Sequence, residues 1–193
     1  MMLLSLIIWD STMSHLKKYR HAPTHLFIDD SYYFFTGAVY KKKKMIKTPE
    51  VKQIFIKYLF HFTEKYDWEL FEWVVLENHY HFLAKVTKSK TIPFLINSLH
   101  KTSAFHIMGS INEKVKPFWY QYWDRCIRNE KHYFETATYI LYNPIKHGYV
   151  NHVSEYKFSS FNSFKEEDQA MIQKKIKRYR PDKIKYYKEI DNF

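Results

Sequence analysis

The first part of the chain switches between strand-like and helix-like hydrophobic patterns. Residues Thr24–Tyr40 are rich in Tyr, Phe and Thr, which favours a strand that ends at four consecutive lysines. In Pro49–Tyr66 the apolar residues recur at helical spacing, with Thr48 placed as the N-terminal cap. Trp68–Leu76 and His79–Thr87 are strand-like segments separated by a short turn, which predicts an antiparallel pair.

The second part repeats the alternation. The pattern predicts a helix over Ile92–Ile111, a strand over Phe118–Ile127 and a helix over Lys131–Tyr142 that stops at Asn143-Pro144. The order is β-α-β-β-α-β-α, which predicts an α+β, ferredoxin-like (RRM-like) fold. In such a fold a small antiparallel sheet carries helices packed on one face.

Length and composition predict one domain with a tail. The chain has 193 residues, of which 46% are hydrophobic, enough to bury a core. We expect an N-terminal arm over residues 1–23, the domain over 24–164, and a basic C-terminal helix or tail over 165–193. The apolar opening Met1–Trp9 is too short to cross a bilayer and lacks the basic start of a secretion signal.

A single cysteine, Cys126, excludes an internal disulfide framework and a multi-cysteine zinc site. It fits a reducing compartment. We therefore expect a cytoplasmic, nucleoid-associated protein without a membrane segment.

The charge balance indicates a polyanionic partner. Thirty-one Lys and Arg against 20 Asp and Glu give a net charge of +11, which suits nucleic acid or an anionic membrane face. The 17 Tyr, 16 Phe and 5 Trp exceed what a core of this size needs, so we expect some exposed rings that stack on unpaired bases. The candidate nucleic-acid contacts are Lys41, Lys42, Lys43, Lys44, Arg125, Arg128, Lys146, His147, Lys174, Lys175, Lys177, Arg178 and Arg180. A basic run is also typical of an ordinary solvated face.

Two histidines in one predicted strand form the first chemical motif. Side chains alternate along a strand, so His79 and His81 project to the same side and can share one cation, while Tyr80 faces the other way. Imidazoles are good ligands for divalent metals. Eleven histidines in 193 residues also produce such spacing by chance.

A tyrosine and an asparagine near the end of the last predicted helix form the second motif. Tyr139 and Asn143 are four residues apart, which stacks them on one helix face. The amide oxygen of Asn143 is a hard metal ligand, and the Tyr139 hydroxyl is a candidate nucleophile. Pro144 favours the alternative that Asn143-Pro144 only stops the helix and that the tyrosine packs.

Taken together, these motifs resemble one family. The matching segments are Tyr32–Thr36, Glu77–His81, Trp123–Arg128 and Tyr139–Gly148, followed by the Ser-Ser element of Phe158–Phe161. They occur in the order seen in REP-associated tyrosine transposases, the single-tyrosine branch of the HUH endonucleases, and the similarity spans roughly residues 32–164.

The resemblance implies that His79 and His81 are metal ligands, that Tyr139 on a C-terminal helix is the nucleophile, and that Asn143 is the third ligand. It further implies Mg²⁺ or Mn²⁺ as cofactor, single-stranded or hairpin DNA as partner, and strand transfer through a 5′-phosphotyrosine. Glu77 replaces the usual proline and puts a carboxylate beside the metal site.

Two other functions fit the same residues. One is a catalytically silent module that binds single-stranded nucleic acid, and the other is a metal phosphodiesterase that uses water as its nucleophile. Whether the protein is a monomer or a homodimer stays open.

Overall fold

The computed structural model describes residues 27–179. Its strands are β1 (Ser31–Val39), β2 (Trp68–Val75), β3 (His79–Val86) and β4 (Trp119–Cys126), and its helices are α1 (Pro49–Lys65), α2 (Ile92–Ile111), α3 (Glu130–Lys146) and α4 (Glu166–Tyr179). The expected N-terminal arm, residues 1–23, and Arg180 lie outside the described residues. The first strand begins at Ser31, because Asp29 and Asp30 form a turn in which Asp30 has φ of 51°. The predicted strand is therefore wrong over residues 27–30, and Thr24 lies outside the described residues.

The four strands form one antiparallel sheet in the order β2-β3-β1-β4. Alternation along the strands gives the sheet two apolar faces. One face carries Tyr33, Phe35 and Phe82 and packs against α1 and α2, which confirms the predicted α+β arrangement. The other carries Phe34 and Leu83 and packs against α3. Residues on the second face are therefore brought to α3.

Close packing behind β3 depends on a glycine. Tyr80 points into the α1–α2 layer, where its ring centroid lies 4.6 Å from that of Phe55 and its hydroxyl lies 2.7 Å from His100 Nε2. Burial lowers the pKa of His100 to about 3 and raises that of Tyr80, so both groups are neutral at pH 7 where they share this hydrogen bond. Gly37, opposite Tyr80 on β1, leaves the space that the large ring occupies.

We expect Gly37→Ala to lower the free energy of unfolding by about 1–3 kcal/mol, as overpacking of a core does. The added methyl group would lie 2.6–2.7 Å from atoms of the Tyr80 ring. Urea denaturation measures the effect. Gly109→Ala is the matched control, because nothing lies within 4 Å of its added carbon and alanine favours the helix by up to about 1 kcal/mol. Equal stabilities for the two variants would contradict this account.

Helix α3 does not stop at Asn143-Pro144. It runs to Lys146, with Pro144 inside its last turn. The predicted end at Tyr142 is therefore wrong. Proline removes one donor from the helix, but the carbonyl oxygens of Asn143 and Pro144 still accept hydrogen bonds from the amides of His147 and Tyr149, at 3.1 and 2.9 Å. The helix end therefore keeps its hydrogen bonds and holds Asn143 in helical register with Tyr139.

A carboxyl group lies in the layer between β2, α3 and α4. Burial raises the pKa of Glu72 to about 7, opposed in part by the positive charge of Lys175. The Oε2 atom of Glu72 is buried, with no hydrogen-bond partner among residues 27–179. Glu72 is therefore a carboxyl that the fold holds in its protonated form below neutral pH.

We expect Glu72 to make stability fall as pH rises. An unfolded glutamate titrates near about pH 4.3, so between about pH 4.3 and the folded pKa of about 7 the folded chain holds a proton that the unfolded chain has lost. The free energy of unfolding then decreases by up to about 1.4 kcal/mol per pH unit. Between about pH 5 and pH 7 the free energy of unfolding of the wild type should fall by roughly 2 kcal/mol more than that of Glu72→Gln, as urea denaturation at the two pH values would measure. Glu69→Gln, at an exposed neighbour on β2, should track wild type. A wild-type slope equal to that of Glu72→Gln would contradict the assignment.

In the described part of the chain, no helix has the length and apolar character that crossing a membrane requires.

Candidate active site

The two histidines of β3 lie on the face that packs against α3. Strand alternation places His79 and His81 on the same side, with ring centroids 5.0 Å apart. His79 is 7% exposed and His81 is fully buried. The Phe34 ring stacks on His81 at 5.5 Å. The sequence-predicted pair is therefore a real structural pair, held by apolar packing.

Helix α3 brings Asn143 to this pair. Its Oδ1 atom lies 3.2 Å from His79 Nε2, while its Nδ2 atom is buried without a hydrogen-bond partner among the described residues. Adjacent ligands of an octahedral cation with bonds of about 2.1 Å are about 3 Å apart, so the spacing of the two atoms fits a shared divalent ion. The three side chains offer two nitrogen donors and one oxygen donor, a set that can bind a divalent metal ion.

Asn143 is the third side chain of this candidate ligand set. Across residues 27–179 no three or more His, Cys, Asp or Glu side chains are grouped to hold a metal ion. A site built on His79 and His81 therefore needs the amide oxygen to supply a third protein ligand.

Tyr139 lies one helical turn before Asn143 and packs on the second histidine. Its ring centroid is 5.4 Å from that of His81 and 6.1 Å from that of Phe34. The ammonium group of Lys146 lies 5.1 Å from the Tyr139 ring centroid. The candidate nucleophile therefore has the candidate metal ligands on one side and a positive charge near its ring.

Other tyrosines near the sheet are harder to ionise than a free tyrosine. Burial raises the pKa of Tyr133, which lies on α3 two turns before Tyr139, and that of Tyr156. Burial also raises the pKa of Tyr122, on β4, to about 12. These groups stay protonated at neutral pH.

His147 extends the cluster beyond the predicted ligands. Its ring centroid lies 5.0 Å from that of His79. The sequence analysis predicts only a nucleic-acid contact for His147, although His147 lies four residues after Asn143, the same helical spacing that relates Asn143 to Tyr139. His147 is exposed, so it lies at the rim of the candidate site.

The predicted basic contacts lie in several places. We call residues Tyr40–Lys44 the lysine loop; it follows β1 and contacts the turn that precedes His79, because the Asn78 amide donates to the Lys42 carbonyl oxygen at 3.1 Å. Arg125 lies on β4 opposite Phe34, on the same face as the histidines. Arg128 follows that strand, and α4 carries Lys174, Lys175, Lys177 and Arg178.

Some charged residues near the candidate site have partners within the protein. The carboxylate of Glu77 pairs with Lys44 at 3.0 Å, which gives it a role in holding the lysine loop. The ammonium of Lys175 lies 3.6 Å from the Phe134 ring centroid and is half-buried. Lys175 thus attaches α4 to α3, whereas Lys174, Lys177 and Arg178 are exposed.

Comparison with known proteins identifies the relatives of this chain. The family model described as "Transposase IS200 like" matches residues 27–141. The chain is 33% identical over 95 residues to a REP-associated tyrosine transposase of Escherichia coli, a match that covers 49% of this chain and 54% of that protein. It is 43% identical over 42 residues to a putative REP-associated tyrosine transposase of Haemophilus influenzae, covering 22% of this chain and 24% of that protein. The matches thus span about half, or less, of the relatives' own length.

A solved structure is similar in fold. It is a REP-associated tyrosine transposase bound to a REP hairpin, matched with a TM-score of 0.61 and 24% identity over 78% of this chain and 84% of that chain. The likeness establishes the fold, and the family predicted from the motifs is confirmed.

Proposed function

The chain belongs to the IS200-like transposase family, and from this premise we propose that it is a metal-dependent single-stranded DNA endonuclease and strand transferase. The observation that carries the proposal is the convergence of two elements. Helix α3 places Tyr139 against His81 and Asn143 against His79, at 5.4 Å between rings and 3.2 Å between atoms. One chain supplies all four side chains, which supports action by a single protomer, whether the protein is a monomer or a homodimer.

The metal ligands in this proposal are His79, His81 and Asn143. A bound Mg²⁺ or Mn²⁺ supplies positive charge that offsets the charge developing on the scissile phosphate. The protein's own part is to hold the two imidazoles and the amide oxygen on facing elements, so that little reorganisation is needed when DNA binds.

Tyr139 acts as the nucleophile. Its hydroxyl oxygen forms a bond to phosphorus, the bond between phosphorus and the 3′ oxygen breaks, and the proton lost by the tyrosine is balanced by the proton gained by that oxygen. The products are a 5′-phosphotyrosine and a free 3′ hydroxyl. Since a free tyrosine has a pKa near about 10, positive charge close to the ring favours the reaction. Lys146, 5.1 Å from the ring centroid, supplies such charge.

Reversal of this reaction with another 3′ hydroxyl rejoins DNA without ATP, because the covalent bond stores the energy of the broken phosphodiester. This is what makes the activity a strand transfer rather than a hydrolysis.

The proposed partner is hairpin DNA with a single-stranded flank. Three observations support it: the net charge of +11, the exposed lysines of the lysine loop, and the similarity to a protein solved with a REP hairpin. The exposed ring of Tyr120, 6.1 Å from that of Tyr40, supports stacking of unpaired bases beside that loop.

A labelled-adduct assay tests this function. The protein is incubated with Mn²⁺ and end-labelled hairpin oligonucleotides, then separated on a denaturing gel. We expect a labelled species at the size of the protein plus DNA. Binding without cleavage on every hairpin tested would favour the silent binding module, and cleavage without an adduct would favour hydrolysis by water.

A further inference from the structure

The backbone of the lysine loop is strained. The non-glycine residues with a positive φ among residues 27–179 are Asp30, Lys41, Lys42, Asp67 and Asn112. Aspartate and asparagine tolerate the left-handed region, whereas lysine adopts it rarely and at a cost in free energy. Lys41 and Lys42, with φ of 55° and 52°, therefore have a conformation that their residue type does not explain. Strain of this kind persists only where neighbours impose it, and it is frequent in ligand-binding segments.

Hydrogen bonds to the rest of the fold hold this conformation. The amide of Tyr40 donates to the carbonyl oxygen of Phe118 at 2.8 Å. The carbonyl oxygen of Lys42 accepts from the Asn78 side chain at 3.1 Å. The loop is thus fixed both to the segment before β4 and to the turn before β3, and its exposed lysines extend from a backbone that is already ordered.

Tyr120 lies beside this loop, on the side of the sheet that carries the histidines. Its neighbour Trp119 points into the α1–α2 layer, where its ring centroid is 5.4 Å from that of Tyr80, and alternation along β4 points Tyr120 the other way. Tyr120 is 45% exposed, and its ring centroid lies 6.1 Å from that of Tyr40. The ammonium of Lys41 lies 5.6 Å from the Tyr40 ring centroid. Two aromatic rings and one positive charge therefore meet at one exposed surface.

This surface is close to the candidate metal ligands. Ala38 on β1 is paired with His79 on β3, and directly opposite residues share a face of the sheet. Tyr40 follows Ala38 by two residues, which corresponds to about 7 Å along a strand. A nucleotide attached to a phosphate at the metal site can therefore reach the two rings.

We propose that Tyr40, Lys41 and Tyr120 form a preformed flank site, in which the rings stack on an unpaired base beside the cleaved bond and Lys41 contacts its phosphate. Rings stack on any base, but only an unpaired base presents its face, so the site selects a single-stranded flank without reading its sequence. The strained backbone positions Lys41 before DNA binds, which lowers the cost of ordering. This inference rests on the proposed function for DNA as the partner.

Two probes separate the base contact from the phosphate contact. Both are fluorescent hairpin oligonucleotides with a short single-stranded flank, made either of thymidines or of abasic nucleotides, and anisotropy in EDTA measures their binding without metal chemistry. Tyr120→Leu should weaken binding of the thymidine probe by about 5-fold or more and leave the abasic probe unchanged. Lys41→Gly should weaken both probes equally and reduce the slope of log affinity against log salt by about 0.7, as loss of one single-strand phosphate contact does.

Matched losses elsewhere provide the controls. Phe105→Leu and Lys101→Ala remove an exposed ring and an exposed charge from α2, on the opposite side of the sheet, and should bind both probes as wild type does. Because glycine suits a positive φ, Lys41→Gly should melt no lower than wild type, as should Asn112→Gly. A lower melting temperature in Lys41→Gly alone would overturn the strained, preformed loop.

Three binding results would also overturn the flank site: equal affinity of wild type for the two probes, a loss in Tyr120→Leu that is the same on both, or full affinity in Lys41→Gly. Wild type that binds neither probe would overturn the site together with DNA as the partner. Wild type that prefers the thymidine probe but forms no adduct with Mn²⁺ would contradict only the proposed chemistry, and the variants would still decide the flank site.

Discussion

Tyr139→Phe is expected to abolish the covalent protein–DNA adduct and to reduce cleavage of a hairpin oligonucleotide by about 1,000-fold or more. The substitution removes only the hydroxyl oxygen that would bond to phosphorus. The ring keeps its contacts with His81 and Phe34, at 5.4 and 6.1 Å between centroids. Metal and DNA binding should therefore be nearly unchanged, and the loss should be confined to the chemical step. A denaturing gel with labelled DNA measures adduct and cleavage together.

The control for this variant lies on the same helix. Tyr142 is half-buried three residues further on, so Tyr142→Phe makes the same chemical change on the same helix at a tyrosine that the proposed mechanism does not use. It should form the adduct at close to the wild-type rate. Full cleavage by Tyr139→Phe would mean that water or another group is the nucleophile, and an adduct that disappears only in Tyr142→Phe would move the role to that tyrosine.

Much of the fold could be predicted because its elements carry local signals. Helix α1 begins at Pro49, and the Thr48 hydroxyl caps it by accepting from the amide of Val51 at 3.4 Å, as the threonine–proline pair indicates. Helix α2 spans Ile92–Ile111, the bounds that its apolar pattern predicts. The end of α3 was not predictable, because Pro144 is a local stop signal that the hydrogen bonds beyond it override.

The candidate site, like the fold, could be predicted only where local signals determine it. Two short-range periods predict which side chains share a face: two residues on a strand for His79 and His81, and four on a helix for Tyr139 and Asn143. Neither period predicts that the strand and the helix meet. Only the family resemblance implies that Tyr139 and Asn143 lie beside the two histidines. The hydrogen bond from the Asn78 amide to the Lys42 carbonyl oxygen could not be predicted at all, since it depends on the backbone conformation of Lys42.

The role of Gly37 could not be predicted from the sequence either. In the sequence it is one glycine within an aromatic strand. In the structure its missing side chain makes room for the ring of Tyr80, the residue between His79 and His81 in the sequence. The large middle residue of the His-Tyr-His segment is therefore accommodated by a glycine on the neighbouring strand. Only the register of β1 against β3, with Gly37 opposite Tyr80, reveals that match.

His81→Leu is expected to eliminate metal-dependent cleavage, with Mn²⁺ affinity lowered by about 100-fold or more, since direct ligands contribute at least as much as the residues behind them. His81 is fully buried and stacked on Phe34 at 5.5 Å, so leucine replaces the imidazole with an apolar side chain that suits these surroundings. The fold should persist. Calorimetric titration of Mn²⁺ and the adduct assay measure the two losses in parallel.

His61→Leu is the control for His81→Leu. His61 lies exposed on α1, on the opposite side of the sheet, so its loss should alter neither Mn²⁺ affinity nor cleavage. Wild type treated with a chelator should behave like His81→Leu and recover when Mn²⁺ is restored, whereas the variant should recover only at much higher Mn²⁺. Chelated wild type that still cleaves at its full rate would exclude a metal role for the histidine pair, and Tyr139 with its nearby Lys146 would then have to act alone.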